Sequence, residues 1–516
     1  MELNREFTKH RSILQDGVQS SADYTLPDYQ GDVRRILYST AEVADGGRFQ
    51  NADSLDCVGT VTYKIVYIDA EGKITPVSFI SDYEIGIKCP SESYIDSDVR
   101  TRVANFSIRL MGPRRFLAKC TLEAELGIAE RAHYKVESEL DECEIECLGK
   151  NISVASSAFA SSAEREMAEE LAMLDGAIVD EVETLVFRAE PISVSASRTD
   201  DGVTVRCQIA TRALIATSGE APRIYEGVSD FFENLPLDGI SADAAVLPSV
   251  RILSENIALN PCDSGVSVVT SIIASASVRT IGNTGISLLS DCFSPSKELD
   301  LTRSEYAYTE HIGSKLISER YTASVPRSDV GAECLRNVLY ESVKVRTESV
   351  SPSTSGVEIS GYIQASAIAC EIDEDGTPAY SPLKFETTFS INVNLDCHIP
   401  TNSRYLLDLS LDSPHIDVDE SDLRLCGNIS GTLTALCDKR SPCISAVSGA
   451  GAVLPRDPSV VSVYYPTAGE TLFDVAKMFH IPPMELARTN EISEAVCTAS
   501  GTASLIAGGV DYLLIK

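Results

Sequence analysis

At 516 residues the chain is long enough for about three or four domains that each bury their own core. With 76 acidic against 43 basic side chains its net charge is −33, which excludes nucleic acid and anionic membrane surfaces as natural partners. A basic patch on a partner protein would be attracted, and the acidity also serves solubility.

Trp is absent and aromatic residues make up 6%, while Ser, Thr, Val, Ile and Ala are abundant, so a mainly β fold is expected. Residues 1–9 carry mixed charges without a signal-peptide core, and no window is apolar for long enough to span a bilayer, so the expected setting is a cytosol. Of the fifteen cysteines, Cys57, Cys120, Cys207, Cys370 and Cys426 sit in alternating strand patterns, as reduced core residues would.

In chain order, residues 1–25 are predicted as an N-terminal helical arm with Phe7, Ile13 and Leu14 on one side. Module 1 spans 26–139. Pro27 and the acids after it suit a helical turn leading into Ile36 and Leu37. Residues 58–67 alternate as a strand, 69–72 turn the chain and 76–80 return it. Residues 107–110 then face 116–126 across Gly112-Pro113-Arg114.

Module 2, residues 140–290, opens with a strand-like lead over 143–154 and a predicted helix over 161–174, rich in Ala, Glu and Met and stopped by Gly176. Its hairpin starts at 202–209 and turns at Ser218-Gly219, and 265–273 gives its last strand. Module 3, residues 291–444, repeats the scheme. A helical lead over 305–319 precedes a hairpin from 357 to 371, which turns at 373–376 and returns through Leu383 to Val393 before a closing strand at 423–433. The strings at 34–43, 183–192 and 336–345 are copies of one another. Their anchors Tyr38, Phe187 and Tyr340 stand about 150 residues apart, so the chain reads as a triplicated, β-sandwich-like module with short helical leads.

Residues 445–459 read as a flexible linker. The tail, 460–516, changes from strand to helix at Gly469. Leu472, Val475, Ala476 and Phe479 then follow at helical spacing with Thr471 or Glu470 as cap. A second short helix begins at Pro482-Pro483 and a terminal strand covers 512–515, giving a small βααβ domain with Tyr464, Leu472 and Phe479 as its core.

The sequence holds no phosphate loop, no His-Glu-x-x-His pair and no Gly-x-Ser-x-Gly elbow, and its six histidines are scattered. Cys143 and Cys147 lack a second zinc half-site, and the acids at 373–375 lack the spacing of a calcium loop. The expectation is a non-enzyme with no catalytic residue, no metal and no cofactor.

The tail resembles a LysM domain: Tyr464 five positions before Gly469, then Gly-Glu-Thr-Leu, Val475-Ala476, Leu486 and Asn490, and a Leu-x-Ile-like final strand. It departs from that pattern at Pro466 and in the insertion 493–504. The resemblance implies a groove between two loops, here Thr467, Ala468, Gly469, Glu470 and Thr471 on one side and Asn490, Glu491 and Ile492 on the other. The Leu-Pro-Asp-Tyr string at 26–37 and the hairpin after it resemble the SPOCS-type repeats of SipL-like spore-coat proteins. That likeness implies an adaptor in the mother-cell cytoplasm of a sporulating bacterium, with its LysM tail docked on a SpoIVA-type coat morphogenetic ATPase and its repeats making self or coat-protein contacts around the forespore. The alternative is a peptidoglycan-binding protein of the cell wall or spore cortex that holds N-acetylglucosamine.

Overall fold

Period-two alternation governs nearly the whole chain. The computed structural model describes residues 3–516 except 52, 90–93, 141–144, 238–240, 242, 355, 373–377, 453–459, 493–504 and 506–508. Module 1 consists of β1 (Asn4–Thr25), β2 (Val33–Gln50), β3 (Ser54–Asp69), β4 (Ile74–Lys88), β5 (Tyr94–Gly112) and β6 (Arg115–Lys135). They form two antiparallel sheets, β1-β6-β5 and β2-β3-β4. Phe116, Ala118, Cys120, Leu122, Ala124 and Leu126 alternate inward along β6 and pack against Val61, Tyr63, Ile65 and Tyr67 of β3. Each large aliphatic side chain so buried contributes about 1.5–3 kcal/mol, which is what fixes the register.

The scheme recurs. After the two-residue strand β7 (Glu137–Ser138), module 2 comprises β8 (Glu146–Ser161), β9 (Arg165–Asp175), β10 (Val182–Thr199), β11 (Gly202–Thr217), β12 (Arg223–Pro236), β13 (Ala245–Cys262) and β14 (Gly265–Phe293). Module 3 comprises β15 (Lys297–Pro326), β16 (Leu335–Pro352), β17 (Val357–Ile372), β18 (Pro378–Val393), β19 (Ser403–Val418) and β20 (Asp422–Ala452). The hairpin sheets are β10-β11-β12 and β16-β17-β18. In the second sheets β14 pairs β13 on one side and β8 and β9 in succession on the other, and β20 lies between β15 and β19.

Several expectations are corrected. Residues 4–25 form strand β1 along β6, not a helical arm; Phe7 is buried but Leu14 is 61% exposed, as a strand edge requires and a helix face does not. Residues 165–175 and 297–326 are strands β9 and β15, not helical leads, because β14 and β20 offer them continuous backbone partners. Pro27 does open a turn, with Gln30 N–H donating to Pro27 C=O, but Ile36 and Leu37 lie on strand β2. Residues 445–452 finish β20 against β15 and are no linker; 453–459 lie outside the described residues, as do the turn at 373–376 and Cys143.

The three modules are clasped at two apolar hubs. At one, bulges between Ile36 and Tyr38, Thr184 and Val186, and Val338 and Tyr340 bring Tyr38, Val186 and Tyr340 together with Leu37 and Leu185. Tyr38 and Tyr340 meet edge to face at 5.3 Å. The structural counterpart of Tyr38 is therefore Val186. Phe187 is turned into a separate cluster with Leu174, Val182 and Val266. At the other hub, Phe7 and Tyr134 meet Ile152, Leu288, Leu289 and Ile444. The Tyr134 hydroxyl donates to Ile444 C=O of module 3 (3.1 Å) and accepts from Leu289 N–H of module 2 (3.0 Å). One side chain thus joins all three modules.

Between the hubs lies a charged layer. Arg279, 4% exposed on β14, binds Glu125 (2.8 Å) and Asp98 (3.2 Å) of module 1, and Arg251 binds Asp45 (2.8 Å) and Asp98 (3.3 Å). A Cβ at Gly127 would stand 2.8 Å from the Arg279 guanidinium, so a larger residue there would push that side chain aside. Arg212 of module 2 holds Glu341 of module 3 at 2.9 Å.

Candidate functional site

The tail folds as β21 (Ser462–Tyr464), α1 (Leu472–Phe479), α2 (Pro483–Thr489) and β22 (Leu513–Ile515), with the two strands antiparallel. Leu472, Phe473, Val475, Ala476, Leu486, Leu505, Leu513 and Ile515 make its core, with Tyr464 and Phe479 packed against it. Thr471 is the cap of α1. Its hydroxyl accepts from Asp474 N–H (3.2 Å) while its own N–H donates to the Asp474 carboxylate (2.9 Å), a reciprocal box that satisfies two donors the helix leaves open.

Both expected loops are present, but several of their polar side chains are occupied within the fold. The Glu470 carboxylate accepts from the Tyr464 hydroxyl (2.8 Å) and from Thr467 N–H (2.7 Å); the Thr467 amide holds it below the usual carboxylate range. Asn490 donates to Leu486 C=O (2.9 Å) and Leu514 C=O (3.0 Å) and accepts from Leu514 N–H (2.5 Å), stapling the end of α2 to β22. Ile492 packs against the tail core, and its N–H donates to Ala487 C=O (3.0 Å). Thr467, Ala468, Gly469 and Glu491 are exposed. Gly469 turns the first loop at φ +94°, a conformation that glycine alone adopts freely. The insertion 493–504 lies outside the described residues.

The tail is seated on module 2. Phe293, at the end of β14, meets Phe473 edge to face at 5.3 Å and joins the tail core together with Leu148 of β8. Lys477 Nζ lies 2.7 and 2.6 Å from the two Asp291 oxygens. His480 Nδ1 lies 3.1 Å from Ser294 C=O, and its Nε2 is 3.6 Å from Glu298. The docking face is thus the outer side of α1, which leaves both loops uncovered. Nothing in the sequence pointed to this contact, because Asp291 and Lys477 stand 186 residues apart.

Cavities open where the modules meet. Two adjoining ones, of about 790 and 810 Å³, share Arg102, Glu125, Arg188, Glu190, Lys344 and Asp408 in their walls. A smaller one of about 250 Å³ is walled by Arg212, Glu226, Tyr340, Glu341 and His415, and a fourth holds about 510 Å³. Among the described residues no group of three or more His, Cys, Asp or Glu side chains is placed to hold a metal ion, no two cysteines are joined in a disulfide, and no helix is long and apolar enough to cross a membrane.

Comparison of the chain with family models, with curated proteins and with solved structures finds no match.

Proposed function

We propose that this chain is a non-enzymatic adaptor of bacterial endospore coat assembly, working in the mother-cell cytoplasm at the forespore surface. Its LysM-like tail docks on a SpoIVA-type coat morphogenetic ATPase, and its three SPOCS-like modules make self or coat-protein contacts. The observation that carries the reading is the tail itself: a strand-helix-helix-strand unit fixed to module 2 through Phe293 and Asp291, with its two loops left exposed. A rigid seat means that the loops reach a partner already oriented, so little ordering cost is left to binding.

A protein partner is favoured over an N-acetylated sugar by the polar inventory. Sugar recognition needs several unspent hydrogen-bonding side chains, whereas Glu470 and Asn490 spend theirs inside the tail. What the loops expose instead is small side chains, Ala468 and Gly469 on one loop, and the Glu491 carboxylate on the other. Weak contacts of this kind gain strength by avidity once the ATPase is a polymer.

The test uses the full chain. Retention on immobilised coat ATPase is expected, and Ala468→Arg with Glu491→Arg should weaken it by at least about tenfold, since a reversed charge in the contact repels. Retention on purified peptidoglycan instead, unaffected by the ATPase, would overturn the reading.

A further inference from the structure

All three modules contribute to the cavity of about 510 Å³, through β1, β8, β15, β19 and β20. Its charged lining is Lys9, Arg11, Arg404, Lys439 and Arg440 against Asp438 alone. In a chain of 76 acids and 43 bases that ratio runs against composition. The other cavities mix the signs; the smallest, for example, sets Arg188 and Arg212 against Glu190, Glu226 and Glu341.

Acids behind the wall offset three of the five cations. Glu130 lies 3.5 Å from Lys9, Glu305 lies 3.5 Å from Arg440, and Glu310 bonds Lys439. Arg11 and Arg404 remain. Asp438 Oδ2 stands 3.7 Å from Arg404 Nε, beyond hydrogen-bond reach, while its Oδ1 accepts the Thr309 hydroxyl at 2.6 Å. Arg404 Nε is buried with no acceptor among the described residues. The Arg404 side chain is 37% exposed, so its other N–H groups reach the open cavity, where an anion can bind them.

His10 lies in the same wall. It is 3% exposed, its Nδ1 lies 3.0 Å from Ser157 Oγ, and its Nε2 is buried without a partner among the described residues. Burial, followed by the charges of Arg279, Arg404 and His311, pushes its pKa down to about 3. The imidazole is therefore neutral, chiefly because it is buried, and adds no cation to the wall.

We propose that this three-module junction is an anion-binding site for a compact phosphate-bearing ligand, gripped by Arg404 and Arg11, with Lys439, which is shared with Glu310, beside them. Cations converge on it from three different strands, β1, β19 and β20, which suits a group whose oxygens point in several directions better than a planar carboxylate. The volume admits more than one phosphoryl unit. Tyr306 and Tyr308 on β15 give the cavity an aromatic wall on which a planar base could rest.

The experiment is a calorimetric titration and thermal melt of the full chain with inorganic pyrophosphate and, separately, with adenosine diphosphate, at fixed ionic strength with chelator present. Saturable binding of one ligand per chain and a Tm raised above a sodium chloride control are expected for at least one probe. Tighter binding of pyrophosphate would assign a bare polyphosphate, and tighter binding of the diphosphate a nucleotide. Arg404→Gln with Arg11→Gln should weaken binding by at least about tenfold while the ligand-free Tm stays within a few degrees. Should that variant fail to fold, hydrogen exchange on the unaltered chain decides: ligand-dependent protection must fall on β1, β19 and β20. Neither probe shifting Tm beyond the salt control, an equal shift in the variant, or protection elsewhere would sink the proposal.

Discussion

Tyr134 shows how much a single side chain can hold. Its hydroxyl spans Leu289 N–H and Ile444 C=O, both buried, so Tyr134→Phe leaves two backbone groups of different modules unsatisfied. A loss of about 1–3 kcal/mol is expected in denaturant unfolding, against near zero for Tyr29→Phe on an 85% exposed ring. Lys344 acts in the opposite sense. Among the described residues its ammonium finds no acceptor, only the Phe106 ring at 4.1 Å, and burial, ahead of its charged neighbours, pushes its pKa down to about 8. The unfolded chain, with an ordinary lysine pKa of about 10.4, binds the extra proton between those values, so stability rises with pH across that window. Below pH 8 the buried charge is a standing cost. Lys344→Met is therefore expected to stabilise the protein by about 1–3 kcal/mol at pH 7, and the gain should vanish above about pH 10.5. Melts at pH 7 and 10.5 check it; a loss of stability at pH 7 would count against the assignment.

Elements were legible where one face is buried and one is wet. Residues 357–393 alternate so regularly that β17 and β18 follow from the pattern alone, and the turns after β3 and β5 were marked by Gly72 and by Gly112-Pro113. The helical expectations failed for a different reason. Residues 165–174 are good helix formers, but β14 is long enough to pair β8 and then β9. The acids of β9 find hydroxyls on neighbouring strands: Glu170 with Ser267 (2.7 Å), Glu166 with Ser271 (3.1 Å), and Glu169 with Ser229 of β12. A partner strand a hundred residues away outweighs local propensity and leaves no local trace. The tail was easier, since α1 carries its own capping box and α2 begins on a proline. Half of its loop residues, Glu470, Thr471, Asn490 and Ile492, are held within the fold, and one test separates the two roles. Asn490→Ala removes two bonds to Leu514 of β22 and one to Leu486 of α2, and should raise hydrogen exchange throughout the tail. Asp291→Ala should free the tail from module 2, speeding exchange at the α1 docking face alone.

The whole molecule differs from three beads on a string, because the hubs and the charged layer tie modules that the sequence presents one after another. Val186 standing where Phe187 was expected shows the limit of reading repeats: a bulge shifts the register by one residue and changes which side chain reaches the axis. Coupled modules should melt together, as one transition, and acid should move that transition as a unit. His10 of module 1 is packed against Ser157 of module 2, with Arg279 and Arg404 beside it, and its pKa is lowered to about 3; His311 of module 3 is lowered to about 4, chiefly by burial. Both are neutral in the folded state and ordinary, near 6.5, in the unfolded one, so their contribution is complete above pH 6.5 and is lost as pH falls toward 3. From His10 alone the loss by pH 5 is about 2 kcal/mol. Calorimetry from pH 7.5 to 5 should show a single peak that moves down, and His10→Asn should flatten its slope. If instead module 1 melts separately while the other two hold, the three-way hub at Tyr134 does not couple them, and the junction cavity that depends on all three modules loses its basis.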